Sequence, residues 1–544
     1  MTLLIAKKYL WFPIKMENPK SVVELFLQDR KIFEFNIPII KMNELDGSLL
    51  EEIDYYACVN VEDYLNKELR FQGDEPDYFK WVRNEDTPPP SNLEDRPLLH
   101  FTPDTGWIND PNGLVYHEGK YHMYFQYNPF DTKWDNMSWG HCISEDLLHW
   151  EQLDTVLWPD ESGTMFSGCG LVNERGMQGL PRDALIFFYS AAGGSNEWSK
   201  GKEFVQRIAY SINHGKTVVK RKSTFLPTIE RENRDPKIFW HERSKAYIMV
   251  LWLQGNEFAI LRSTDLCDFT VSQRLILEEA FECPDLFELP IDGDMNHTKW
   301  VFWCADGYYF IGDFDGYQFM NYGPRRQAYA SKIPYAAQTI SGLLDRTVSI
   351  PWFRTKNEGK RYTGMMGLPR ELRLLSDNEG IVLSQTVTRE FEETKQLLYS
   401  LLPEKGTDTK LDDIYIQSEG KDSQLGYTFH INNEQVIEIK IQFNIDRGRY
   451  TSYIKGYELT VDLDQNHIEF LGDTILFPNN LQDLSIIIDK GIVELTAKNG
   501  IIYSVYEMPD YCISGDYRIA IGQKDAVKKI EIYGIGMGDK EWQP

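Results

Sequence analysis

No apolar run in the 544 residues approaches the roughly 18 needed to cross a bilayer, which excludes a membrane-spanning helix within the sequence. The opening MTLLIAKKYLWFPIKMENPK has four or five apolar residues and then two lysines. It lacks the basic-then-apolar order and small-residue cleavage site of a secretory signal, so the expectation is a cytoplasmic protein. Basic charge is scarce: Lys+Arg number 57 against 83 Asp+Glu, a net charge of −26. Such a surface repels nucleic acid and anionic lipid, which removes both as partners and suits a neutral substrate. No Cys-x-x-Cys occurs. The seven cysteines, Cys58, Cys142, Cys169, Cys267, Cys283, Cys304 and Cys512, are scattered and odd in number, which argues for reduced thiols and against a zinc site. Aromatic residues, by contrast, are dense at 13%. Many belong to cores, but carbohydrate sites also stack aromatic faces on sugar rings.

TPPPSNLEDRP (87–97) is the clearest linker, because three prolines hold the chain extended between charged flanks. Before it, VVELFLQ (22–28), KIFEFNIPI (31–39) and YYACVNV (55–61) read as strands, so residues 1–86 are a small β module. After it, stretches of 3.6-residue period are absent. GLVYHEGKYHMYFQYN (113–128) is a hairpin around HEGK, and similar patterns recur at 183–191, 237–252 and 297–305. SEDLLHW (144–150) and STDLCDF (263–269) share S-x-D-L-x-x-aromatic, with AYSINHGKTV (209–218) and GDFDGYQF (312–319) as weaker relatives. A repeat of several dozen residues built from short antiparallel strands predicts propeller blades. With one more strand set near 335–370, residues 98–385 make five. TREFEETKQLLYSLL (388–402) is helix-like or a connector, placed at 386–402. Alternating strands from there to 544 predict a β-sandwich over 403–544. The fold class is therefore all-β: a five-bladed β-propeller, a C-terminal β-sandwich and a small N-terminal β module.

Three acids stand out at predicted strand edges: Asp110 in WINDPNG (107–113), Asp235 in NRDPKIFW (233–240) and Glu282 in FECPDLFEL (281–289). Each falls in a different blade, and inner strands of a propeller converge on its axis, so acids far apart in sequence can meet in one funnel. Taken singly each has a plain explanation. DPNG is a turn sequence, Asp before Pro commonly starts a turn, and Glu282 can be a solvated strand-end charge.

Their flanks carry a resemblance. WINDPNG, FQYNP (125–129), WGHCISEDLLHW (139–150), FSG (166–168), RDP (234–236), ECPDLF (282–287), YAAQT (335–339) and LPREL (368–372) follow the order of the motifs of glycoside hydrolase family 32. That family contains invertases, levanases, inulinases and fructosyltransferases. DKGIVELTAKNG (489–500) resembles a motif of the family's C-terminal sandwich, and residues 1–86 resemble the extra β domain of some gut-bacterial fructan-degrading members.

The resemblance implies a retaining β-fructofuranosidase acting on sucrose, fructo-oligosaccharides or fructans. Asp110 is then the nucleophile, Glu282 the general acid/base and Asp235 the transition-state stabiliser, with Arg234 orienting either Asp235 or a hydroxyl by a forked contact. Asn109 and Gln126 offer amides to fructose hydroxyls, Trp107 and Trp134 wall the pocket, and Phe166 and Ser167 close another side. For Trp107 and Phe166, packing is an equal claim. Cys283 is either a tuning group for Glu282 or an inert buried thiol. Two carboxylates complete the reaction, so no metal or organic cofactor is required. The partner is a fructose-containing saccharide, and the N-terminal module is read either as binding polymer or as forming a homo-oligomer contact. Ile108, Cys169, Phe281 and Gly367 depart from the family pattern without removing a reactive group. A fructosyltransferase using the same covalent intermediate, and a catalytically silent carbohydrate-binding propeller, remain the alternatives.

Overall fold

The computed structural model of the chain describes residues 1–43, 48–91, 96–321, 323–357, 359–378, 380–401, 425–430, 435–443, 448–477, 481–509, 516–521 and 527–536. Residues 92–95 of the linker, residue 402 of the connector, and residues 403–424, 431–434, 444–447, 478–480, 510–515, 522–526 and 537–544 of the expected sandwich, Cys512 among them, lie outside them. The protein is all-β. Among the described residues its one α-helix is Arg389–Glu393. The helix-like stretch thus continues as the strand Gln396–Leu401, paired with Val527–Ile535, because LLYSL offers alternating faces to a sheet once the helix ends.

Four four-stranded antiparallel units follow one another. The first holds Gly106–His117, Lys120–Asn128, Ser138–Ser144 and Glu151–Leu157, and the second runs from Thr164–Val172 to Val219–Leu226. The third runs from Arg234–His241 to Thr270–Ile276, and the fourth from Asp285–Ile291 to Phe319–Asn321. A further set, Pro334–Thr339, Val348–Phe353, Arg370–Asp377 and Gly380–Val387, joins the fourth through the parallel pairing Ile291↔Leu374. Tyr362–Thr363 then pairs in parallel with Gly106 and Trp107, tying the end of the region back to its start.

The sequence repeat has a physical basis. In SEDLLHW, the Asp146 carboxylate accepts the backbone N–H groups of Leu148 and His149, and Leu147 takes a φ of 64°. Asp265 does the same for Cys267 and Asp268, with Leu266 at 61°. Asp315 caps Tyr317 and Gln318, with Gly316 at 91°. Asn213 accepts from Thr217, with His214 at 58°. Each turn links the third strand of a unit to its fourth, so a side-chain-capped turn is the repeated part. The 113–128 hairpin turns through Glu118 and Gly119, at φ 49° and 80°, as a two-residue connection requires.

The expected turn in DPNG is not formed. Residues 107–113 lie inside the twelve-residue strand Gly106–His117, whose pairing with the next strand slips between Ile108 and Pro111 and again between Asn112 and Val115. A proline is tolerated in such a strand where a bulge interrupts the ladder. Gly113 is required: at φ 54°, an added Cβ would lie 2.8 Å from the Tyr124 ring and 3.0 Å from Trp139.

The N-terminal residues form a four-stranded and a three-stranded sheet over one apolar core. At the other end two six-stranded sheets share a core, with Ile437, Ile439 and Val493 from one meeting Leu459, Val461 and Ile468 from the other. A fully buried polar network joins this end to the preceding region. His100 lies between Asp489 (2.9 Å) and Glu494 (2.8 Å), and Arg370 donates to Glu494. Arg370 belongs to LPREL and the two acids to DKGIVELTAKNG, so those motifs serve the junction.

Candidate active site

The first strand of a unit is irregular where the expected site residues occur. Pairing slips between Ile108 and Pro111, between Met165 and Gly168, between Arg234 and Lys237, and between Tyr335 and Gln338. A bulge adds a residue to one strand and re-aims its side chains. These four bulges carry Asn109 and Asp110, Phe166 and Ser167, Asp235, and the residues after Tyr335. Glu282 stands just ahead of Asp285–Ile291. Asp235, Glu282 and Cys283 take φ of 63°, 47° and 40°, a left-handed backbone that costs non-glycine residues about 1 kcal/mol or more each. The Asp235 N–H is anchored on Ser190 Oγ at 3.1 Å.

Nine of the ten expected residues line one cavity of about 330 Å³: Asn109, Asp110, Gln126, Trp134, Phe166, Ser167, Arg234, Asp235 and Glu282. Trp107 does not line it. Its indole N–H donates to Asn109 Oδ1 at 2.8 Å and its ring packs edge-on to Trp352, so it fixes Asn109 from behind. Tyr335 and Trp352 also line the cavity and were not singled out from the sequence. Tyr335 opens the YAAQT motif at the same strand position that Arg234 holds in its unit, which is the signal that could have found it. Trp352 carries no such signal.

The acids are wired together. Ser167 Oγ donates to Asp110 Oδ2 at 2.6 Å. The Cys283 thiol sits 3.6 Å from Asp110 Oδ2 and 3.5 Å from Asp235 Oδ2, and its backbone N–H donates to Asp235 at 3.1 Å. Arg234 donates to Glu282 through Nε (3.1 Å) and Nη2 and lies 4.0 Å from Asp235. Tyr335 donates to Glu282 Oε2 at 2.9 Å. The guanidinium rests 4.0 Å above the Trp252 ring, on which Phe281 stands edge-on at the rim.

Three carboxyls thus face one fixed cation. Burial raises the Asp110 pKa, with the Ser167 hydrogen bond opposing and the Glu282 charge adding. Burial pushes Asp235 up to about 7, with Arg234 opposing and the charges of Glu282 and Asp110 adding. Burial and the same three carboxylates drive the Cys283 thiol well above its usual range, so it stays protonated.

Beneath the acids the motifs supply a second, buried layer. Lys237 of RDPK pairs with Asp285 of ECPD at 3.1 Å and donates to Thr339 O at 2.6 Å. Thr339, from YAAQT, gives its N–H and hydroxyl to Asp285, both at 2.8 Å. Three motifs from three units are thereby locked together below the cavity. Among the described residues, the group able to hold a metal is His117, Glu118 and His214. It lies at the far end of the strand that carries Asp110 and touches no lining residue.

Residues 100–386, just over half the chain, match the family model described as the glycosyl hydrolases family 32 N-terminal domain. A levanase of Bacillus subtilis (strain 168) is 35% identical over 330 residues, covering 55% of this chain and 47% of the levanase. An invertase of Debaryomyces hansenii is 33% identical over 294 residues, 49% of this chain and 53% of the invertase. The chain spans about half the length of these curated relatives. Among solved structures, an exo-inulinase from Aspergillus awamori superposes with a TM-score of 0.69 at 23% identity, over 81% of this chain and 99% of that one. A Bifidobacterium adolescentis structure reaches 0.65 at 16% identity over 98% of this chain and 99% of that one, a likeness of fold that extends across the N-terminal residues.

Proposed function

Because the chain belongs to glycoside hydrolase family 32, we propose that it is an exo-acting, retaining β-fructofuranosidase that releases terminal fructosyl units from sucrose, fructo-oligosaccharides or levan- and inulin-type fructans. The observation that carries this reading is the meeting of Asp110, Asp235 and Glu282, from three units, in one cavity with amides, a guanidinium and aromatic walls. The sheet order supports reading residues 98–385 as a five-bladed propeller, 403–544 as a β-sandwich and 1–86 as a separate module.

Asp110 attacks the anomeric carbon. The Asp110 Oδ–carbon bond forms as the glycosidic bond breaks, and Glu282 passes its proton to the leaving oxygen. Water then attacks the same carbon, its proton goes to Glu282, and the Asp110 carboxylate is released. Ser167 donates to Asp110 and so opposes the penalty that burial places on its ionised form. Arg234 and Tyr335 fix the Glu282 carboxyl at both oxygens. Asp235, 4.0 Å from Arg234, binds ring hydroxyls more tightly as positive charge develops at the anomeric carbon. Two inversions at one carbon give net retention. The same intermediate captured by a sugar hydroxyl gives transfer, which is the second outcome of the test.

That test is a panel of sucrose, kestose, inulin, levan and levan oligomers with sizing of the products and NMR of the first-formed fructose. Free β-fructofuranose is expected first, longer products would reassign the chain to transfer, and no reaction with any substrate would end the proposal. Asp110→Asn and Glu282→Gln should each lower kcat by about a thousandfold or more with the melting temperature unchanged.

A further inference from the structure

The cavity is polar and buried at its floor and aromatic at its mouth. Gln126, Ser167 and Asp235 are 2%, 5% and 7% exposed, whereas Trp134 is 51% exposed. Trp134 stands edge-on to Phe166, from the second unit, with ring centroids 6.0 Å apart. An exposed indole at a sugar site is useful only if its plane is held, because a freely rotating ring forfeits its stacking energy to conformational entropy.

What holds it comes from outside the unit that carries it. Residues 130–136, FDTKWDN, join the second and third strands of the first unit, and the N-terminal module grips them on both sides of Trp134. Phe130 is wholly buried inside the module's core, its ring 4.3 Å from Phe35 and 5.7 Å from Phe12. Lys20 pairs with Asp131 at 2.8 Å and with Asp135 at 3.0 Å. Asp131 is 2% exposed, so Lys20 neutralises a buried carboxylate. Asn36 and Asn136 exchange hydrogen bonds: the Asn36 N–H donates to Asn136 Oδ1 at 2.8 Å, and Asn136 Nδ2 donates to Asn36 O at 2.9 Å. Asn36 Nδ2 also donates to Asp135 at 3.1 Å, and Lys133 meets Glu17 at 2.6 Å. The neighbouring rim is touched as well, where the Trp198 N–H donates to the buried Glu34 at 3.0 Å.

We propose that the N-terminal module is part of the substrate site: Lys20 and Asn36 are positioning residues that clamp residues 130–136 and so fix Trp134 as the aromatic wall against which the bound saccharide packs. This rests on the fructosidase reading. The module thereby sets substrate affinity while leaving the reacting carboxyls alone, since neither Lys20 nor Asn36 touches them. The binding contribution of the wall passes through the clamp, so the two should behave as one unit.

The experiment is a double-mutant cycle in the full chain. Lys20→Ala/Asn36→Ala, which removes both Lys20 ion pairs and the Asn36 side-chain bond to Asp135, is compared with Trp134→Ala and with the triple variant on a short fructo-oligosaccharide, with thermal melting recorded for each. The clamp variant is expected to raise KM about threefold to tenfold with kcat within about twofold, as does Trp134→Ala, while the triple variant is no worse than Trp134→Ala alone. Unchanged KM in the clamp variant, or a loss that multiplies with that of Trp134→Ala, overturns the inference and leaves the fructosidase reading standing. Absence of fructoside hydrolysis in the unmodified chain removes both. Lys20→Arg, which keeps the charge on Asp131, should restore part of the affinity in an Asn36-intact background.

Discussion

Ser167→Ala isolates the hydroxyl that favours the charged form of Asp110. The Ser167 hydroxyl donates to Asp110 Oδ2 at 2.6 Å, and Ser167 is 5% exposed, so water does not replace that bond freely when the hydroxyl is removed. A hydrogen bond to a charged group is worth about 1.5–3 kcal/mol, and one pKa unit corresponds to about 1.4 kcal/mol. The bond therefore opposes the burial that raises the Asp110 pKa. The sign follows directly. In the proposed reaction Asp110 acts deprotonated, so activity falls as pH drops through its pKa, and losing Ser167 lifts that pKa. The acid limb of the kcat/KM profile, which reports the free enzyme, should move to higher pH, with the plateau less affected than the limb. Because the Asp110 charge also raises Asp235, the limb belongs to the pair, and the shift is the quantity to compare. Initial rates on sucrose across the acid range, with melting curves to verify folding, provide the test. An acid limb that stays in place, with a uniform drop at all pH values, would refute the role assigned to Ser167 and leave it a substrate contact.

Two further predictions concern the framework. Lys237→Met leaves Asp285 buried with its two Thr339 donors but without its cation, which should cost about 3 kcal/mol, seen as a lower denaturant midpoint with unchanged slope. Asp489→Asn tests the junction. Although burial opposes it, His100 and the N–H groups of Leu98 and Leu99 hold the Asp489 pKa below the usual value, so its stabilisation is present above about pH 4 and lost as pH falls through the depressed pKa. The melting temperatures of protein and variant should differ at neutral pH and converge in acid, and a constant difference would contradict this account.

The three acids were legible because each sits in a short string whose other members also have work to do. Lys237 and Asp285, a few residues from Asp235 and Glu282, form the buried pair that holds those strings together, so the pattern carried more information than any acid alone. The S-x-D-L repeat was legible for a similar reason, as it encodes a turn closed by its own aspartate. DPNG misled because turn residues and bulge residues are the same residues, and only long-range pairing with Lys120–Asn128 decides between them. Trp107 and Trp352 were beyond local reading, since lining a cavity and standing one layer behind it depend on packing from another unit. The grip of residues 1–86 on residues 130–136 spans about a hundred positions, and its members, a lysine and an asparagine, are ordinary surface residues in sequence.

The strand that bears Asp110 is also the one that receives Tyr362–Thr363 and closes the region on itself. Gly106 and Trp107 form the seam, and Asp110 stands three residues beyond it. The stave at the join is thus the one that carries Asp110 into the cavity, so opening the Tyr362–Thr363 pairing would act on the strand that places that carboxylate.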